Sequence, residues 1–130
     1  MDEWKKGLKG SPSRDIFKAE HKKRAPKSFY ACDLDFILVA KFPTAHIVAI
    51  LDYKKPRDGV SFSEVIAYNE LSKHIPLYII RGNDPKQGPF VIERYDGGDY
   101  RPEPPIVNTT LIRQCESWQD LAEWEETLRV

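Results

Sequence analysis

Asp52 and Lys54 stand two residues apart at the end of an apolar run, Ala49-Ile50-Leu51-Asp52-Tyr53-Lys54-Lys55. Asp33 and Asp35 stand two apart at the start of another, Asp33-Leu34-Asp35-Phe36-Ile37-Leu38-Val39. Successive side chains of a β-strand point to opposite faces, so each of these pairs projects together. Two neighbouring strands of this kind bring several carboxylates and one ammonium to a single spot. Carboxylate oxygens hold a hard divalent cation, and a cation beside a lysine is what an attacking water and a phosphate need. Asp-x-Lys alone is a common surface strand end. Here it closes an almost wholly apolar strand, where unpaired ions are expensive, and that favours grouping the charges around a metal.

The elements that must position these residues follow from periodicity and punctuation. Ser11-Pro12-Ser13 supplies helix-start chemistry, and Arg14 to Arg24 contains good helix formers up to the stop at Pro26. From Asp33 the chain turns to β-branched and aromatic residues, pauses at Phe42-Pro43-Thr44, and resumes at His46 to Leu51. This predicts two strands forming an antiparallel hairpin around Pro43, and their near-continuous apolarity predicts that both faces are covered. Pro56-Arg57-Asp58-Gly59 breaks the second strand. Ser61 or Ser63 then caps a helix running to Lys73, with Glu64 completing a capping box from Ser61. Pro76 to Ile80 and Pro89 to Tyr95 read as third and fourth strands, with a loop from Gly97 to Pro105. A helix between strands two and three favours a parallel crossover. The tail predicts a helix over 117–129, capped by Ser117, with Trp118, Leu121, Ala122, Glu125 and Leu128 on one stripe for docking on the sheet or on a second copy.

Composition narrows the class. A chain of 130 residues with three Trp, six Tyr and six Phe suits one folded domain spanning 1–130. No apolar run reaches the length of a membrane-spanning helix, and the start Met1-Asp2-Glu3-Trp4-Lys5-Lys6 lacks the apolar core of a signal peptide. Two cysteines, Cys32 and Cys115, and three scattered histidines, His21, His46 and His74, give neither a zinc pattern nor a disulfide framework. A soluble protein of the reducing cytoplasm is the expectation. The formal charge is zero but unevenly spread. Residues 1–28 hold nine Lys or Arg against four acids, a net of +5, whereas residues 92–130 hold four Arg against nine acids. The basic end can attract phosphate, or can be the solvated face of a surface helix.

An acid at a strand start, a hairpin, Asp-x-Lys at the end of an apolar strand, then a helix and another strand is an order met in one superfamily. Asp35, Asp52 and Lys54 resemble the PD-(D/E)XK motif of restriction-endonuclease-like nucleases, over roughly Arg14 to Tyr95. The Cys-Asp-hydrophobic-Asp-Phe start is similar to that of small phage and bacterial members. Leu34 stands where the motif name has proline, and the helix carrying Tyr68, Asn69 and Glu70 lacks the Gln-xxx-Tyr signature of the exonuclease branch. The resemblance implies an α/β fold with a restriction-endonuclease-like core. Its mixed sheet would have about four to five strands flanked by helices, in the order α-β-β-α-β-β plus a C-terminal helix. It also implies Mg²⁺ or Mn²⁺ held by Asp35, Asp52 and the carbonyl of Tyr53, with Asp33 and Glu20 as further acidic ligands. Lys54 would orient or help deprotonate the attacking water and stabilise the phosphate, and the substrate would be DNA. Lys22, Lys23, Arg24, Lys55 and Arg57 are candidates to hold its backbone. A nuclease fold retained as an inactive nucleic-acid- or protein-binding module is the alternative. A third reading is a small adaptor that dimerises through the Trp118 and Trp124 helix, and a homodimer also suits a two-stranded substrate.

Overall fold

The computed structural model describes residues 12–24 and 34–129. They belong to two compact units, residues 1–31 and 32–130. In the first, helix α1 (Pro12–Arg24) opens on a proline, which suits a first turn because its missing N–H has no helical partner there. His21, Lys22, Lys23 and Arg24 occupy the last turn, where the helix dipole favours positive charge. None of its residues is buried, and Phe17 stacks on His21 with ring centroids 5.9 Å apart.

The second unit is a five-stranded mixed sheet with two helices, so the described chain is an α/β protein with three helices in all. Its elements are β1 (Phe36–Ala40), β2 (His46–Lys54), α2 (Phe62–Leu71), β3 (Leu77–Arg81), β4 (Phe90–Asp99), β5 (Ile106–Cys115) and α3 (Trp118–Thr127). The strands lie in chain order, β1-β2-β3-β4-β5. β1 and β2 form the antiparallel hairpin expected around Pro43, and β2 and β3 pair in parallel across α2. β3, β4 and β5 continue antiparallel.

Two apolar layers form because β2, β3 and β4 alternate their side chains between the faces. On one face Ile50, Leu77, Ile79 and Tyr95 pack with Val65 and Tyr68 of α2. On the other, Leu51, Ile80, Phe90 and Ile92 pack with Leu121 and Trp124 of α3. Asn69 ties α2 to β4: its side-chain oxygen accepts from Gly98 N (3.0 Å) and the Tyr95 hydroxyl (2.7 Å), and its amide donates to Gly98 O (3.1 Å). A side chain at Gly98 would place Cβ only 2.5 Å from the Ile106 carbonyl, so the close approach of β4 and β5 requires glycine there.

Several expectations change. β4 runs on to Asp99, well into the stretch read as loop, and 106–115 is a fifth strand that the sequence reading left unassigned. Most of β5 is exposed, and its Asn108, Thr109, Thr110, Arg113 and Gln114 dilute the apolar pattern of a strand. β1 is not covered on both faces: Phe36 and Val39 are 57% and 59% exposed, because this strand lies at the end of the strand order, where core contacts are fewer. The α3 stripe shifts as well. Leu121 and Trp124 are its buried residues, Trp124 standing edge-on to Tyr78 at 4.8 Å, while Ala122 faces outward and Trp118 is half exposed. The helix that was one candidate dimer element thus spends Trp124 on the sheet. The resemblance also calls for a strand before Asp35, for which Ser28 to Ala31 is the candidate stretch, and those residues lie outside the described ones. Among the described residues no helix is long and apolar enough to cross a membrane.

Candidate active site

The register of the β1–β2 hairpin builds the site. Phe36 lies opposite Leu51, and in an antiparallel pair the next step outward sets Asp35 beside Asp52 on the α2 face. Asp35 closes the end of the ladder, where its Oδ2 accepts from the Tyr53 backbone N–H at 2.8 Å. Ile50 and Lys54 turn their backbone groups toward β3, as the bonds from Ile50 N to Pro76 O and from Gly82 N to Lys54 O show. Tyr53, at the odd position between, turns its N–H and carbonyl toward the β1 side, where Asp35 sits. The two carboxylates and the Tyr53 carbonyl that the sequence singled out therefore face one region.

Asp52 is the only buried charged residue among those described, with 6% of its surface exposed. Its Oδ2 accepts from the Tyr68 hydroxyl at 2.5 Å and lies 3.3 Å from Lys54 Nζ. Lys54 Nζ in turn donates to both Glu64 oxygens at 3.1 Å. Glu64 also accepts from Ser61 N (2.9 Å) as the capping box of α2 and receives the Tyr68 hydroxyl at 3.3 Å. Arg81 fixes the chain just past this cluster, donating to the carbonyls of Lys55 (3.2 Å) and Asp58 (2.6 Å) while paired with Glu93.

The charges explain the titration behaviour. Burial pushes the Asp52 carboxyl up to about 6 and the adjoining Asp35 carboxyl adds to the rise, against the Tyr68 hydrogen bond and the Lys54 charge, which pull it down. Burial alone would lower Lys54, but its hydrogen bond to Glu64 and the charges of Asp52 and Glu64 hold the ammonium above its ordinary value. Burial would raise Glu64, and its bonds from Ser61 and Lys54 outweigh that and lower it. The Tyr68 hydroxyl is raised by burial and then by the two carboxylates it serves, so it stays a neutral donor.

Three carboxylates and one ammonium leave the cluster two negative charges when Asp52 is ionised. Burial is the main cause of the upward push on Asp52, with Asp35 adding to it, and a divalent cation held by hard oxygen donors would favour the ionised form. Asp35, Asp52 and the Tyr53 carbonyl fit that group. Among the described residues no set of three or more His, Cys, Asp or Glu side chains is placed to bind a metal, so a metal held here would have to take two carboxylates and a backbone carbonyl.

The other expected site residues are distributed as follows. Asp33 lies outside the described residues. Glu20 lies on α1, in the first unit, where its carboxylate pairs with Arg24 Nε at 2.7 Å. Lys22, Lys23 and Arg24 are exposed on the same helix, and Lys55 and Arg57 are exposed on the loop after β2. Glu64 and Tyr68 are the residues the sequence reading missed as site members, although Glu64 had been read correctly as a cap. Their spacing of four along a helix that follows the Asp-x-Lys strand was the available signal, since it puts both on one helix face. The chain matches no family model, no curated protein and no solved structure.

Proposed function

We propose that this chain is a Mg²⁺- or Mn²⁺-dependent nuclease that hydrolyses DNA phosphodiester bonds, built on a restriction-endonuclease-like core. The observation that carries the reading is that Asp35, one step beyond the Phe36–Leu51 pair, adjoins buried Asp52, whose carboxylate lies 3.3 Å from the Lys54 ammonium. Asp35, Asp52 and the Tyr53 carbonyl would hold the metal. A divalent cation in that place supplies charge stabilisation at phosphorus and an acidified water. Lys54, kept protonated by its two acidic neighbours, contributes positive charge to the phosphate and a donor that orients the attacking water. Glu64 and Tyr68 position these groups, Glu64 by gripping the ammonium and Tyr68 by fixing Asp52 Oδ2. Lys55 and Arg57, exposed just beyond, would meet the nucleic-acid backbone, and Lys22, Lys23 and Arg24 of α1 would offer a second basic surface.

A cleavage assay with Mg²⁺ or Mn²⁺ on duplex, single-stranded and branched DNA tests this. Metal-dependent cleavage that disappears in Lys54→Ala supports it. One observation favours a second reading, an inactive module that kept the fold: both Glu64 oxygens already engage the Lys54 ammonium. DNA binding with neither metal uptake nor cleavage would establish that reading instead.

A further inference from the structure

The sheet ends in two edges of opposite character. β5 forms one, and Asn108, Thr109, Thr110, Arg113 and Gln114 keep it polar. β1 forms the other, and its Phe36-Ile37-Leu38-Val39-Ala40 carries no charge, no proline and no hydroxyl. Open strand edges are ordinarily blunted by such groups or by bulges, because their free N–H and C=O groups pair with any strand that arrives. The irregularity between β1 and β2 does not serve that purpose, since its extra residue is Val48 in β2 and β1 runs on regularly. Among the described residues β1 pairs with β2 alone, and Phe36, Ile37 and Val39 remain 57%, 49% and 59% exposed.

The strand is complementary to itself. An antiparallel pair of two copies that overlaps the whole strand has its two-fold axis at Leu38. That register sets Phe36 opposite Ala40, Ile37 opposite Val39 and Asp35 opposite Lys41 of the partner subunit. Phe36 and Ala40 lie on the α3 face, where a groove of about 540 Å³ is lined by Leu38, Ala40, Val48 and Ala122. The largest exposed ring of the strand thus meets its smallest side chain, at a recess. On the α2 face Ile37 meets the β-branched Val39, and the exposed Lys41 ammonium meets the Asp35 carboxylate. The symmetry makes each of these contacts twice. We infer that two copies of this chain pair through β1, antiparallel about Leu38, and join their sheets into one. The contact does not depend on the nuclease reading. A pair of such short strands falls at the small end of specific interfaces, below about 1,200 Å², so the dimer forms only as concentration rises.

Analytical ultracentrifugation of the full chain from about 1 to about 500 µM tests the pairing, and the mass is expected to rise from one chain toward two. Val39→Lys charges a side chain that is already more than half exposed in the single copy. It should leave the circular dichroism spectrum unchanged and raise the dissociation constant at least about 10-fold. Cysteine pairs read the register without relying on that variant. In a Cys32→Ser background, a mixture of Ile37→Cys and Val39→Cys chains should crosslink on mild oxidation. Neither variant should do so alone, because like positions then lie beyond the roughly 7 Å between Cα atoms that a disulfide spans. A chain that stays monomeric throughout the range overturns the inference. So does a dimer that ignores Val39→Lys but is lost in Trp118→Ala, which would belong to α3, and so does crosslinking of either single variant as readily as the mixture. None of these readouts involves cleavage, so this inference and the nuclease reading fail separately.

Discussion

The two faces of the sheet use the same strands to opposite ends. On the α2 face, Asp52, Lys54, Glu64 and Tyr68 close into a polar cluster whose members bond one another, with Asp35 at its margin. On the α3 face, Leu121 and Trp124 cover the middle of the sheet, while β1 keeps Phe36 and Val39 exposed beside cavities of about 280 and 540 Å³. Charge is concentrated where side chains can satisfy it, and apolar surface stays open where no described element reaches. The α2 face therefore gathers the charged groups, and the α3 face combines a packed half with an open apolar half.

Catalysis gives the sharpest test of that division. Lys54→Ala is expected to lower the cleavage rate by about 10²–10⁴-fold with little change in fold, read from single-turnover kinetics and circular dichroism. An unchanged rate would remove the α2 face from the chemistry. Trp124→Ala should instead cost about 3–5 kcal/mol of stability in a urea titration, since it empties the packing between α3 and Tyr78. Tyr68→Phe, which removes the donor to Asp52 Oδ2, is expected to cost about 1.5–3 kcal/mol and to raise the Asp52 titration further. NMR titration of the Asp52 carboxyl carbon reads the shift directly.

A subtler separation comes from pH. Asp52 titrates near 6 in the folded chain against 3.8 when unperturbed, so between those values the folded state holds a proton that the unfolded state lacks. Metal-free stability at this residue should rise as pH falls from above 6 toward about 4, and Asp52→Asn should lack that gain. Glu64, lowered in the fold, acts in the opposite sense, and its contribution is lost only as pH falls through its own depressed folded value. Added Mg²⁺ should raise Tm above pH 6 and lose its effect below, because protons compete for Asp52. The smallest effect is expected at the open edge: Phe36→Ser should leave the stability of the unpaired chain within about 0.5 kcal/mol, since the ring is already 57% exposed. A large loss there would mean that β1 is covered within its own chain.

Much of this arrangement is legible in the chain because local rules govern it. The capping box at Ser61 and Glu64, the Ser117 cap and the β1–β2 hairpin all depend on residues close in sequence, and each forms as read. Asp52 and Lys54 project together for the same reason, a strand's period of two. β5 was not legible because an exposed strand near the end of the chain has no apolar period to betray it. The exposure of β1 was not legible either, since apolarity records what a residue prefers and not which neighbours arrive to cover it.

Glu64 shows the same limit within the site. Its sequence context specifies a helix cap, and it is one, yet the parallel pairing of β2 with β3 across α2 also brings it 3.1 Å from Lys54. Sequence by itself determined which residues carry charge, where β1 to β4 and the helices lie, and that Asp52 and Lys54 share a face. Only the tertiary structure decided that Asp35 lies beside Asp52, that Glu64 and Tyr68 join them, and that an aromatic cavity backs the site. Those contacts join residues 16 or more positions apart or belong to different elements, and the geometry of the sheet, rather than local spacing, brings them into range.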